Sequence, residues 1–293
     1  MQNGGCMEKV LKRRFPGRRV VITGAGSGLG RALAVDFARL GWSVGVNDID
    51  LARAEETLGL VEKNGGRGFA MKGDVAKWAD VSALADEAVA RFNGADIVVN
   101  NAGVPAAGTM EKIPIEDWQW IVDINLMGVI YGCKAFIPVF KEKGAGHVVN
   151  IASSAGFVSL PEMSPYNVTK AGVISLSETL RQELAGHNIG VTVACPTFFK
   201  TNLMDQCRYT DPRQLDMANA LFEKSLCAAE KVSRHIIRSV AKKRLYVITQ
   251  IDGRLLWKLK RYMPEKFYKF MGFFYRKGYA DKFLGVEPAH PAR

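Results

Sequence analysis

Tyr166 and Lys170 stand four positions apart in the run YNVTK. On a helix, positions i and i+4 share a face, so the phenol and the ammonium can address one point in space. The chemistry they offer is proton transfer. A free tyrosine, with a pKa of about 10, is a poor base near neutrality, and a neighbouring cation favours its anion. Closing a gap of about three pK units takes on the order of 4 kcal/mol of differential stabilisation, attainable for a close charge in a dry site. The spacing therefore predicts a tyrosine that titrates in the working range. An isolated pair of this kind is most often an ordinary surface contact, so the surrounding elements have to decide.

Those elements alternate. RRVVITG, SVGVND, GFAMKGD, ADIVVNNAG, HVVNIAS, IGVTVACP and RLYVITQ read as strands, with helical periodicity over 28–40, 50–63, 78–92, 116–143, 164–185 and 229–242 between them. Near-continuous Val and Ile fits burial on both faces. The pattern predicts an α/β fold, a doubly wound, Rossmann-type parallel sheet of seven strands with helices on both sides. The first strand turns at TGAGSGLG, where Gly24, Gly28 and Gly30 let the backbone turn sharply, approach a pyrophosphate and open a helix with its N–H groups facing the anion. Asp48 follows eighteen residues after Gly30, at the end of the second strand, where a carboxylate can accept from the ribose hydroxyls of a dinucleotide.

TGAGSGLG, NNAG at 100–103, YNVTK and a serine thirteen residues before the tyrosine together resemble the short-chain dehydrogenase/reductase family, from about Arg18 to Gln250. The resemblance implies an oxidoreductase that interconverts an alcohol and a ketone by hydride transfer with NAD or NADP. It implies Tyr166 as the acid/base, Lys170 also bound to the nicotinamide ribose, Ser153 on the substrate oxygen with Ser154 as rival, and Asn125 holding a water that links Lys170 to solvent. It places the cofactor against Gly24, Ser27, Gly28, Leu29, Gly30, Asp48 and Ile49, with Asp74 and Val75 at the adenine. Asn101, Ala102 and Gly103 would pass under the adenosine ribose. Pro196, Phe199 and Thr201 would lie near the carboxamide, although Thr197 stands where the family usually has glycine and would be strained if φ were positive there. Ser27 and Ile49 are neutral where NADP-using members commonly carry a basic residue, so NAD is expected over NADP.

Composition bounds the rest. With 293 residues, 48% of them hydrophobic, the chain can bury a large core. Its five cysteines, Cys6, Cys133, Cys195, Cys207 and Cys227, have no C-x-x-C spacing and suit reduced thiols in a cytoplasmic compartment. The basic N-terminus lacks the apolar segment of a signal peptide, and no run of 18 apolar residues suggests a membrane span. The four histidines, at 147, 187, 235 and 290, have no ligand spacing, are expected at surfaces or strand edges, and no metal is expected.

Three segments follow: a basic N-terminal extension over 1–17, a dehydrogenase domain over 18–252, and a helical extension over 253–293. Between Arg254 and Lys277 stand eight basic residues and one acid, a surplus of seven within a formal net charge of +11. Leu255, Leu256, Leu259, Tyr262 and Met263 recur at near-helical spacing, as do Phe267, Phe270, Met271 and Phe274, and Pro264 should separate two helices. Two readings stay open: the apolar residues pack on the domain or a sister subunit, or 253–277 lies peripherally on an anionic membrane. Nucleic acid is the weaker alternative partner. The resemblance further implies a homodimer or tetramer, although the chain departs from the family's usual ending after Gln250.

Residues 104–110, 155–165 and the loop after Thr201 should wall the substrate pocket. Phe157, Val158, Leu160, Met163, Phe198 and Phe199 there favour a lipophilic alcohol or ketone over a sugar. The alternative is a non-catalytic dinucleotide-binding scaffold or redox-sensing interaction protein, disfavoured because all four catalytic positions keep competent residue types.

Overall fold

Valine and isoleucine runs become interior parallel strands only where helices cover both faces, and the chain supplies those helices between successive strands. In the computed structural model, which describes residues 3–201, 203–225 and 227–286, the strands of the main sheet are β1 (Arg19–Ile22), β2 (Ser43–Asp48), β3 (Arg67–Lys72), β4 (Ile97–Asn100), β5 (Gly146–Ile151), β6 (Ile189–Ala194) and β7 (Tyr246–Val247). They form one seven-stranded sheet in the order β3-β2-β1-β4-β5-β6-β7, every neighbouring pair parallel. His290, the side chain of Cys6 and the end of the C-terminal extension lie outside the described residues.

The helices are α1 (Asn3–Arg14), α2 (Gly28–Arg39), α3 (Leu51–Lys63), α4 (Trp78–Phe92), α5 (Ile115–Lys143), α6 (Ser164–Glu183), α7 (Pro212–Glu223), α8 (Ala229–Ala241), α9 (Ile251–Tyr262), α10 (Pro264–Arg276) and α11 (Tyr279–Leu284). On one face, Leu33 and Phe37 of α2, Val61 of α3 and Ile236 and Val240 of α8 join Leu11 of α1 and Phe15 in a single core. On the other, Leu84 of α4, Phe136 and Phe140 of α5 and Val173 and Leu180 of α6 build a second. Leu256, Trp257, Phe267 and Met271 from α9 and α10 pack onto that second core. Pro264 does separate two helices, occupying the first turn of α10, where its missing N–H costs nothing.

Four details differ from the sequence expectations. Helices α1 and α7 lie outside the helical segments expected from the sequence. RLYVITQ yields only a two-residue edge strand, β7. His147 is fully buried in β5 rather than at a surface or edge, its ring nitrogen 2.8 Å from the Thr192 hydroxyl on the adjacent strand, and burial, then the nearby Arg14, keeps its pKa well below the usual histidine value. Finally, α5 is long and apolar enough, by length and composition alone, to cross a membrane. Its Val129, Cys133, Phe136 and Phe140 are buried against the sheet, as in a core helix.

Candidate active site

The sheet order reverses at β1: the chain runs outward to β2 and β3, then returns to the other side of β1 with β4. A crevice opens at the carboxyl ends of such strands, and both signature loops meet there. The amide of Asn101 after β4 donates to the carbonyls of Thr23 (2.9 Å) and Gly24 (3.0 Å), while the Thr23 hydroxyl accepts from the backbone N–H groups of Asn101 and Ala102. Glycine is required by close approach: a Cβ on Gly24, whose φ is +59°, would lie 2.7 Å from the Ala102 Cα, and one on Gly28, at φ +51°, 2.7 Å from the Thr201 hydroxyl. Ser27 is extended and leaves the first N–H groups of α2 without a side-chain cap.

At the end of β2, the Asp48 carboxylate accepts from the backbone N–H groups of Gly26 (2.8 Å) and Asp50 (3.1 Å). It is thereby fixed beside the glycine turn. Gly24, Ser27, Gly28, Leu29, Asp48, Ile49, Asp74, Val75, Asn101, Ala102 and Gly103 all line one cavity of about 550 Å³, as do Pro196, Phe199 and Thr201. Gly30 lies behind the turn, packed on it. Arg53 also lines this end of the cavity, paired with Asp50 at 3.2 Å; nothing in the sequence marked it.

The same cavity holds the tyrosine and lysine. They project from α6, one turn apart as the spacing predicted, and Lys170 is buried. The Lys170 ammonium donates to the Ile151 carbonyl at 3.0 Å, the last residue of β5, and sits 5.6 Å from the centre of the Tyr166 ring. Ser153, two residues beyond β5, lines the cavity beside Tyr166 and lowers the pKa of its phenol against the effect of burial; the Ser154 backbone N–H donates to the Pro196 carbonyl. Asn125 lies on a π-helical turn, Asp123–Met127, inside α5. Its side chain exchanges two 2.8 Å hydrogen bonds with the Val104 backbone, so its amide is satisfied by main chain. A Cβ on Gly103 would lie 3.1 Å from the Asn125 Oδ1 and 3.3 Å from the Lys170 Nζ, which brackets both groups around that glycine.

The electrostatics run against the simplest reading of the spacing. Burial pushes the Tyr166 phenol up to about 12, opposed by Ser153, and burial pushes Lys170 down to about 8. In this pocket desolvation of each group outweighs the attraction expected between ammonium and phenolate. The protein alone thus holds Tyr166 as a neutral proton donor.

Three features of the pocket correct or extend the sequence expectations. Leu160, Met163, Phe198 and Phe199 line the cavity, but Phe157 and Val158 are buried in the core, because the helical turn carrying them is pressed against α6 so tightly that a Cβ on Gly156 would meet the Lys170 main chain at 2.7 Å. Thr197 carries no positive φ and so no strain; its N–H donates to Gln250 at 3.0 Å. The outer wall comes from elements no motif announced: Met217, Leu221 and Phe222 of α7, Met271 and Phe274 of α10, and Leu284 of α11.

A buried polar cluster fixes that wall. Arg213 at the start of α7 forks onto both carboxylate oxygens of Glu162 and reaches Asp281 of α11 at 2.8 Å. Gln214 and the Tyr275 hydroxyl of α10 each donate to Glu162 at 2.8 Å. Among the described residues, no group of three or more His, Cys, Asp or Glu side chains is placed to hold a metal.

A family model described as short chain dehydrogenase matches residues 18–211. The chain belongs to the short-chain dehydrogenase family. Among relatives of this short-chain dehydrogenase, "Probable oxidoreductase EphD" of Mycobacterium tuberculosis is 33% identical over 255 residues, 84% of this chain, and the chain spans only 43% of that protein's length. The 3beta-hydroxysteroid dehydrogenase 1 of Eggerthella lenta is 37% identical over 198 residues, 67% of this chain and 76% of that one. A solved short chain dehydrogenase/reductase from Burkholderia phymatum in complex with NAD superposes with a TM-score of 0.80 at 29% identity, covering 93% of this chain and 97% of that one.

Proposed function

We propose that the protein interconverts a lipophilic secondary alcohol and its ketone with NAD, using Tyr166 as the proton carrier. The observation that carries this is that Ser153, Tyr166 and Lys170 meet in one largely apolar cavity, the Lys170 ammonium 5.6 Å from the centre of the Tyr166 ring. The hydroxysteroid dehydrogenase relative is named for a substrate of that class.

The glycine cradle, in which added Cβ atoms would strike backbone, and the fixed Asp48 carboxylate fit a dinucleotide. When bound, a nicotinamide supplies the hydride acceptor or donor and, in its oxidised form, a positive charge. In ketone reduction, Tyr166 donates its hydroxyl proton to the oxygen of the substrate as the carbinol C–H bond forms, and Ser153 donates a hydrogen bond to the same oxygen as charge develops there. In oxidation the substrate hydroxyl returns that proton to the phenolate. Lys170 stabilises the phenolate left behind, and Asn125 braces the Val104 main chain beside it.

Asp48 selects the cofactor. Its charge accepts from ribose hydroxyls and repels a 2′-phosphate, while Arg53, which lines the same cavity, is paired with Asp50. NADP should bind at least about tenfold more weakly than NAD, ~1.4 kcal/mol. Titrating each against the protein and screening hydrophobic secondary alcohols with both, by absorbance of the reduced nicotinamide, tests the reading; equal or tighter NADP binding sinks the assignment of Asp48.

The ionisation of Lys170 sets a pH dependence. Its pKa is lowered to about 8, so the cation is present below that pH and lost above it, while Tyr166, raised to about 12, stays a competent donor throughout. The kcat/KM for ketone reduction should fall as pH rises through about 8. Lys170→Arg, which keeps its charge, should lower the rate but abolish that alkaline limb. A limb unchanged in the arginine variant assigns the titration elsewhere.

A further inference from the structure

Helices α9 and α10 each bury one face on the domain, through Leu256 and Trp257 on the first and Phe267 and Met271 on the second. A solvated outer face should then be polar, and here it is not. On α9, Ile251, Leu255, Leu259 and Tyr262 follow at helical steps, with Ile251 82% and Tyr262 80% exposed. Along α10, Lys266, Phe270, Phe273 and Lys277 recur at alternating steps of four and three, the spacing of a single stripe; Phe270 is 56% exposed and Phe273 43%. The cavity opens beside them: Phe274 and Phe283 line it while remaining exposed, and the Lys224 ammonium sits 4.9 Å from the Phe283 ring. The exposed charges on these two helices are mainly cations.

We propose that α9, α10 and the rim at Phe283 form a docking surface for an anionic lipid membrane. Phe270 and Phe273 would enter the headgroup region, and Lys266, Lys269 and Lys277 would meet the phosphates. Charge decides between occupants. Exposed aromatics interleaved with cations of one sign complement a layer that is apolar beneath and negative above, whereas a second copy of the same surface would set cation against cation. Docking brings the cavity mouth to the lipid, so that a substrate dissolved in the bilayer enters without crossing water. That last step rests on the proposed function; the docking itself does not.

Flotation of the full chain with vesicles tests the surface, using phosphatidylcholine alone and phosphatidylcholine mixed with phosphatidylserine at low and high salt. The protein should float with the phosphatidylserine vesicles at low salt and dissociate at high salt. Lys266→Gln/Lys269→Gln/Lys277→Gln should lower the partition constant by on the order of a hundredfold, and Phe270→Ser/Phe273→Ser by at least about tenfold. Both sets lie at exposed positions and none of their side chains lines the cavity, so circular dichroism and turnover of a water-soluble alcohol should match the parent. The proposal is overturned if the parent stays unbound with anionic vesicles at low salt, if it floats equally with neutral ones, or if the phenylalanine variant binds undiminished. It is also overturned if the same substitutions instead dissociate a dimer seen by size-exclusion. A parent that floats but oxidises no hydrophobic alcohol keeps the docking surface and rejects the proposed reaction, so the two failures are distinguishable.

Discussion

Tyr166→Phe is expected to lower kcat on a true substrate by at least about a hundredfold, the lower end of what a positioned acid/base contributes, while the Kd for NAD stays within about threefold of the parent. The substitution deletes only the phenolic oxygen. The ring keeps its place on α6, and the Asn101 bonds to the glycine turn, the Asp48 contacts and the Lys170 bond to Ile151 are untouched. The Ser153 hydroxyl keeps its acceptor contact with the Ala155 N–H at 3.2 Å. Lys170→Ala should damage both binding and turnover. Steady-state rates beside a direct cofactor titration separate the cases; a phenylalanine variant that keeps more than about a tenth of the parent kcat removes Tyr166 from the reaction.

Gly30→Ala should place a damaging methyl at the base of the glycine turn. The added carbon would lie 2.3 Å from the Gly24 carbonyl oxygen, 2.6 Å from the Asn101 amide nitrogen and 2.8 Å from the Ala25 Cα. Two of those atoms are backbone of the turn itself, so relief requires moving the turn away from α2. Gly30 has no positive φ, and the cost is purely one of space. A loss of roughly 1–3 kcal/mol is expected from overpacking, seen as a lower Tm, together with clearly weaker NAD binding. Gly59→Ala in α3, with nothing within 4 Å of the new carbon, is the control and should stabilise by up to about 1 kcal/mol. Equal melting temperatures for the two variants contradict the steric account.

The half of the site that fits a dinucleotide was legible because its chemistry is local in sequence. A glycine turn, a carboxylate ending the next strand and an i, i+4 pair carry their geometry in their spacing, and the folded chain brings Gly28, Asp48, Ser153, Tyr166 and Lys170 to one cavity. The ionisation was less legible. Spacing shows that Tyr166 and Lys170 are neighbours, but burial, a property of the folded chain, sets which of the two opposing shifts wins. The substrate wall was hidden for a different reason. Met217, Leu221 and Leu284 come from helices with no motif, separated by dozens of residues and joined through the Glu162–Arg213–Asp281 cluster. Phe157 and Val158, apolar and in the right loop, turned inward because hydrophobicity alone cannot distinguish a lining residue from a core one.

That cluster also orders events during synthesis. Chains emerge amino end first and fold progressively as they do. The glycine turn, Asp48, Asn101 and the Tyr166–Lys170 pair all precede Arg213, and the groups that complete the cluster, Tyr275 and Asp281, come later still. Until they arrive, Arg213 and Glu162 hold an unfinished wall with apolar side chains of α7 open to water. On the ribosome the nascent protein thus passes through an interval in which the crevice at the glycine turn can be built while the outer wall of the cavity stands open, and the closing of that gap falls to residues translated well after Arg213.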